Sequence, residues 1–314
     1  MYDILILGAG PAGLTAGLYA SRAKLKVGII EKAIEGGQIS GTSSVENYPG
    51  IIEISGMDLG LNMREQAENF GCEFINDEVL SVDLKGQEKK VKGKYGEYEA
   101  RSIIITTGAS HRKIGVEGES EFTGRGVSYC ATCDAAFYED LDVYVVGGGD
   151  SAVEEALFIT KFAKTVTIIH RRDSLRASKS LQEKAFNNDK IKFIWDSEVV
   201  KIEGENIVEA LTLKNTKTGE ITKIESEEPF GIFVFIGLVP TTKLFESQLS
   251  LEDGYILADE DMKTSIDGVY AAGDVRKKKV RQVATAVGDG CIAAISAEKY
   301  LNELDGTLYE GFKK

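Results

Sequence analysis

The sequence predicts an α/β fold built twice: two Rossmann-like three-layer domains, the second inserted into the first. Three observations carry this. Two glycine-rich turns each join an apolar strand to a helical run. Each turn is followed, at the same spacing, by the end of a second strand. Two further apolar strands ending in glycine, "IIITTGA" (residues 103–109) and "IFVFIGLVP" (residues 232–240), bracket the second turn.

The first element is the strand "YDILIL", followed by "GAGPAG" and the helical run "LTAGLYASRAKL". Gly8, Gly10 and Gly13 form G-x-G-x-x-G, with Pro11 and Ala12 inside it, in the context the dinucleotide fingerprint requires. The first glycine permits a tight turn, the second a close backbone approach to a pyrophosphate, the third close packing of helix on strand. The helix N-terminus then offers free N–H groups to the phosphates. A second strand, "KVGII", ends at Glu31, an acid placed to accept hydrogen bonds from a ribose.

The pattern recurs in "LDVYVVGGGDSAVEEALFITKFAKTVTIIHRRD", with Gly147, Gly149 and Ala152 in the fingerprint positions and Asp150 and Ser151 between them. Glu31 lies 23 residues after Gly8, and His170 lies 23 residues after Gly147. His170 therefore takes the slot of Glu31, with Arg171, Arg172 and Arg176 following. An acid in that slot favours a free 2′-hydroxyl, whereas cations favour a 2′-phosphate, which the arginine fork suits well. Two cradles of opposite charge imply two cofactors: FAD on the acidic one, NADPH on the basic one.

The chain then returns to the first domain through "GVYAAGDV", a strand running into Gly273 and Asp274, and a helical run from "QVATAV" to "AEKYL". A carboxylate at that strand end could bind a ribityl hydroxyl, although an aspartate there is commonly a turn residue or cap. The stretch "KTGEITKIESEE" reads as an exposed hairpin. The expected boundaries are 1–112 and 240–314 for the FAD-binding domain and 113–239 for the NADPH-binding domain.

A chain of 314 residues is long enough for two cores, and 43% apolar with 28% charged residues is an ordinary globular balance. A net charge of −13 argues against nucleic acid or an anionic membrane as partner. Lys277, Lys278 and Lys279 are the local exception and read as a solvated turn. No apolar run approaches the roughly 18 residues of a membrane span, and "MYDILILGAG" carries no basic leader, so a cytoplasmic location is expected.

"SYCATCDAAFY" holds Cys130 and Cys133, with Asp134 directly behind. Zinc would need two more ligands, yet the chain has two histidines and His170 is already placed. A permanent structural bridge fits poorly with a reducing cytosol. A redox pair is the third reading, since C-x-x-C spacing can lower one thiol pKa. Cys72 and Cys291 stand alone and read as small apolar residues.

The order of "GAGPAG", "EGGQ", "ENYPG", "CATCD", "GGGDSA", "HRRDSLR" and "AAGDV…RQ" resembles the bacterial-type, low-molecular-weight thioredoxin reductases, a flavin disulfide oxidoreductase family. The resemblance runs nearly end to end. It implies a homodimer with one FAD per chain and an inserted NADPH domain. Glu31, Lys32, Gly36, Gly37, Gln38 and Asn47 would line the FAD, with Gly273, Asp274, Arg281, Gln282 and Val283 closing over it. It also implies that reduced flavin reduces a Cys130–Cys133 disulfide. Cys130 would then attack a disulfide of thioredoxin or a thioredoxin-like protein, Cys133 would resolve the mixed disulfide, and Asp134 would move the proton, unless it merely caps a helix. The alternative is a related flavin enzyme with another partner or electron donor.

Such a disulfide must meet both a flavin and a protein, so the inserted domain is expected to swing about residues 109–115 and 237–241. One departure concerns Ala135 and Ala136, where many relatives have glycine and an aromatic. It bears on partner docking rather than on the redox chemistry.

Overall fold

The computed structural model describes residues 1–33, 35–41, 45, 47–226 and 228–307, without the side chains of Thr132 and Cys133. The chain divides into two compact units: Met1–Ser110 with Val239–Lys314, and His111–Leu238.

In the first unit, strand Tyr2–Leu7 lies parallel between Val27–Glu31 and Glu97–Ile105. Glu73–Asn76 extends one side of this sheet and Val269–Ala271 the other, both in parallel. Strand Glu97–Ile105 serves three ladders. Its residues 100–105 pair parallel with Tyr2–Leu7, residues 103–105 pair parallel with Val269–Ala271, and residues 97–100 pair antiparallel with residues 89–92 in a meander completed by Val79–Asp83.

Successive residues of a strand point to opposite faces, and here both faces are covered, so the strands are apolar throughout. Ile4, Ile6, Ile104 and Tyr270 share one core with Leu14 and Ala16 of helix Pro11–Arg22 and Ala293 of helix Val283–Leu304. Leu5, Leu7, Ile103 and Ile105 face the opposite core with Val91 and Phe245. Helix Val283–Leu304 opens on a reciprocal capping box between Gln282 and Thr285.

The second unit repeats the plan. Its five parallel strands run in the order Ile191–Ile194, Thr165–Ile169, Asp142–Gly147, Gly231–Phe235, Val127–Ser128. Val143, Val145 and Phe233 pack with Ala152, Val153 and Ala156 of helix Asp150–Ile159. Val146, Ile232 and Val234 face the other core, which includes Val199, Ile202 and Leu211 from the antiparallel strands Ser197–Gly204 and Val208–Asn215. Ile221–Glu225 pairs antiparallel with Val208–Asn215 and is mostly exposed, the hairpin that "KTGEITKIESEE" suggests.

Candidate functional site

A cavity of about 510 Å³ opens in the first unit at the carboxyl ends of its parallel strands. The first glycine turn contributes Gly8, Gly10, Pro11 and Ala12, the second strand Glu31 and Lys32, and the loop beyond it Gly37 and Gln38. Gly273, Asp274, Gln282 and Val283 close the far side. Four of the residues named from the sequence do not line this cavity. Gly13 lies behind the turn, Gly36 donates its N–H to Ala9 O at 2.8 Å, and Asn47 Nδ2 donates to Gln282 Oε1 at 3.2 Å. The Arg281 guanidinium lies over the Tyr255 ring, 4.2 Å from its centroid.

The three glycines act differently. Gly8 has φ +110°, and a Cβ there would lie 2.6 Å from Thr106 O. A Cβ on Gly13 would meet Gly8 O at 2.0 Å, so helix and turn are in backbone contact. Gly10 has open space where a Cβ would stand, which leaves the backbone bare toward the cavity. Helix Pro11–Arg22 has no side-chain cap, so its first N–H groups remain available to a phosphate. Glu31 is fixed at the strand end: Oε2 accepts from Ala9 N at 2.9 Å, and Oε1 from Lys32 N at 2.9 Å and Ala33 N at 3.0 Å.

Asp274 stands in the turn Gly273–Val275, with Oδ1 buried and without a hydrogen-bond partner among the described residues. Burial raises its pKa, partly offset by the nearby Lys278 and Arg281. An unpartnered carboxylate oxygen on a cavity wall suits a ligand hydroxyl. Together with the bare helix end and the Glu31 carboxylate, these residues fit FAD. Sequence reasoning passed over Thr106, Thr107 and Ser110, which also line the cavity. Thr106 Oγ1 is within hydrogen-bonding distance of Leu7 O (3.0 Å) and Gly8 O (2.8 Å) and steadies the turn. The glycine-ended strand "IIITTGA" holds the signal for the two threonines.

In the second unit a Cβ on Gly147 would fall 2.4 Å from Phe235 O and 2.6 Å from Ala152 Cβ, whereas Gly149 faces open space. Helix Asp150–Ile159 again lacks a side-chain cap. Asp150 Oδ1 accepts from Ser178 N at 2.6 Å, and Ser151 is exposed. His170 is buried beneath the turn: a Cβ on Gly148 would lie 2.3 Å from its Nδ1, and its Nε2 has no partner among the described residues. Burial lowers its pKa, and Arg176, Arg172 and Arg171 lower it further, so the imidazole stays neutral at pH 7. The cations on offer are thus the arginines. Arg171, Arg172 and Arg176 are exposed and form no ion pair among the described residues.

One reason lies far away in sequence. Lys217 Nζ takes the carboxylates of Asp173 (2.9 Å) and Asp196 (3.0 Å). Thr216 N donates to Asp196 O at 2.6 Å and Thr216 Oγ1 to Arg171 O at 3.1 Å, tying the hairpin to the arginine turn.

Cys130 is disulfide-bonded, while Cys72 and Cys291 are free. Burial pushes the Cys72 thiol up to about 12, so it is inert at neutral pH. Cys130 N donates to Ser128 Oγ at 3.0 Å. The backbone of Cys133 lies in the single helical turn Ala131–Asp134, and its side chain lies outside the described residues. Among the described residues no cluster of three potential metal ligands occurs.

Asp134 makes no cap hydrogen bond to the turn Ala135–Tyr138. It lines a cavity of about 230 Å³ with Arg125, Phe137, Tyr138 and Phe230. Ala135 is buried with an ordinary backbone, so glycine's freedom is not needed there, and Ala136 and Phe137 are exposed. Glu119, also passed over by sequence reasoning, is 1% exposed. It accepts from Ile114 N, Gly115 N and the Tyr129 hydroxyl, each at 2.7 Å, bracing the start of this unit against the residue before Cys130.

Residues 2–290 match the sequence model of the pyridine nucleotide-disulphide oxidoreductases. A thioredoxin reductase of Peptoclostridium acidaminophilum is 54% identical over 306 residues, which cover 96% of this chain and 97% of that protein. Among solved structures, thioredoxin reductase of Lactococcus lactis in its FR conformation matches with TM-score 0.79 and 44% identity, covering 96% of this chain and 100% of that one. The Streptococcus pyogenes thioredoxin reductase matches with TM-score 0.77 and 49% identity over 96% of this chain and 99% of that one.

Proposed function

Because the chain belongs to the pyridine nucleotide-disulphide oxidoreductase family, we propose that it is an NADPH-dependent thioredoxin reductase using FAD. The first unit is the FAD domain and the second, inserted unit is the NADPH domain. Gly8, Gly10 and the helix end behind them hold the FAD pyrophosphate, Glu31 a ribose, and Asp274 a ribityl hydroxyl. Gly147, Gly149 and the uncapped helix Asp150–Ile159 hold the NADPH pyrophosphate, and Arg171, Arg172 and Arg176 its 2′-phosphate. The observation that carries the reading is the exposed arginine turn, without an ion pair among the described residues, in the same unit as the disulfide-bonded Cys130.

FAD supplies two-electron transfer between a nicotinamide and a disulfide. Reduction opens a Cys130–Cys133 bond to two thiols. The Cys130 thiolate attacks one sulfur of the partner disulfide, forming a mixed disulfide and releasing a partner thiolate, which takes a proton. The Cys133 thiolate then attacks Cys130 Sγ, restoring the internal disulfide and releasing the second partner thiol. Asp134, whose side chain makes no cap bond to the Ala135–Tyr138 turn among the described residues, shuttles the protons. The partner's approach falls on the cavity beside Asp134, where exposed Phe137 and Arg125 offer apolar and cationic contact.

We propose further, from the resemblance to the family, a homodimer and a swing of the inserted unit about its two crossings, and, from the sequence, a cytoplasmic location. In an anaerobic cuvette NADPH should bleach the flavin band, and oxidised thioredoxin should restore it. Bleaching without reoxidation by thioredoxin would point to another protein partner. A flavin that NADPH leaves yellow would remove NADPH as the donor.

A further inference from the structure

The run Lys277-Lys278-Lys279 departs from the solvated turn the sequence suggests. The Lys278 side chain is only 8% exposed. Its ammonium donates to Asp289 Oδ2 at 2.9 Å and to Thr285 Oγ1 at 3.2 Å, both on helix Val283–Leu304. Asp289 is itself buried, and the same Oδ2 accepts from Gly273 N at 3.0 Å and Arg276 Nε at 2.9 Å. These contacts fix the turn that carries Asp274. They also hold the Lys278 ammonium 3.8 Å from Asp274 Oδ1, the oxygen that has no hydrogen-bond partner among the described residues.

That distance matters. At 3.8 Å the ammonium offsets the carboxylate charge by Coulomb attraction, yet lies too far to occupy the lone pairs of Oδ1. Without Asp289, Lys278 would be free to close on Asp274 and take the acceptor. Without Lys278, a half-buried carboxylate would lose its nearest counter-ion. Thr285 and Asp289 together keep the cation at the intermediate position.

We propose that Lys278, anchored by Asp289, is a positioning residue of the flavin site: it neutralises Asp274 while leaving Oδ1 open to a ribityl hydroxyl. The inference rests on the FAD site proposed above. It extends that site to two residues that do not line the cavity.

The test is FAD titration of the full-length protein after flavin removal, read by flavin fluorescence. Lys278→Met and Asp289→Asn should each raise the FAD Kd about tenfold, the scale of one charge-assisted interaction. In an Asp274→Ala background either change should alter the Kd by less than about twofold, because the residues act through Asp274. A similar loss in both backgrounds would mean a general structural role and would overturn the proposal, as would an unchanged Kd in the single variants. If Lys278→Met fails to fold, the Asp289→Asn and Asp274→Ala cycle gives the same decision. Wild-type protein that takes up no FAD would instead refute the underlying site.

Discussion

Gly13 sits so close to Gly8 that a Cβ on it would lie 2.0 Å from the Gly8 carbonyl oxygen and 2.8 Å from Thr106 Oγ1. The nearer of these is backbone and cannot rotate away. Gly13→Ala should therefore push helix from turn and destabilise the first unit by about 1–3 kcal/mol. Gly10, where an added Cβ would meet nothing within 4 Å among the described residues, separates ligand contact from packing. Gly10→Ala should leave the melting temperature of the flavin-free protein nearly unchanged while raising the FAD Kd at least about tenfold. Thermal melts and flavin titrations on both variants check this. Equal stability losses would show that Gly10 is a packing residue.

The arginine turn yields a graded prediction on cofactor choice. Arg171→Ala with Arg172→Ala should raise the KM for NADPH about 10- to 100-fold, the scale of losing charge-assisted bonds to a 2′-phosphate. The KM for NADH should change little. Lys217→Ala should have a smaller effect of the same kind, about two- to fivefold, because it frees Asp173 to pair with the neighbouring arginines. Raised salt should shrink the Lys217 effect. If NADH and NADPH respond alike, these cations do not read the 2′-phosphate.

Acid should act on the first unit through Asp77. Burial pushes its pKa up, but hydrogen bonds from the Tyr98 hydroxyl and the N–H groups of Tyr95, Glu78 and Lys94 outweigh it and hold the carboxyl below its ordinary 3.8. A depressed carboxylate contributes stability in full above its unfolded pKa and loses it as pH falls through the folded value. Asp77→Asn should melt lower than wild type at pH 7, with the gap narrowing below pH 3.8. A gap that stays constant on acidification would show that Asp77 ionisation contributes nothing.

Much of the fold was legible because its signals are local and repeated. The triplets at Gly8 and Gly147 sit between strand and helix, and the shared spacing to Glu31 and His170 shows a doubled plan. What stayed hidden depends on partners distant in the chain. "KKK" reads as solvent-facing until Asp289 and Thr285 bury Lys278 from the next helix. Lys217 and Glu119 gain meaning only once a hairpin reaches Asp173 and a buried carboxylate reaches Tyr129. His170 occupies the predicted register, yet its burial and neutral ring leave the charge to the arginines. Periodicity reports which face a residue takes, not whether a charge finds a partner there.

The two cysteines should separate cleanly when one is replaced. If Cys130 attacks the partner, Cys133→Ser removes the resolving thiol but not the nucleophile. Mixed with oxidised thioredoxin after reduction, that variant should accumulate a covalent complex with the summed mass, visible on a non-reducing gel and dissolved by dithiothreitol. Cys130→Ser should give no such complex, because its remaining thiol is the one assigned to the internal step. Both variants should lose steady-state turnover while NADPH still bleaches their flavin, since neither change touches the nucleotide cradles. A complex trapped by Cys130→Ser and not by Cys133→Ser would exchange the two roles and would move the partner's approach from Cys130 to Cys133.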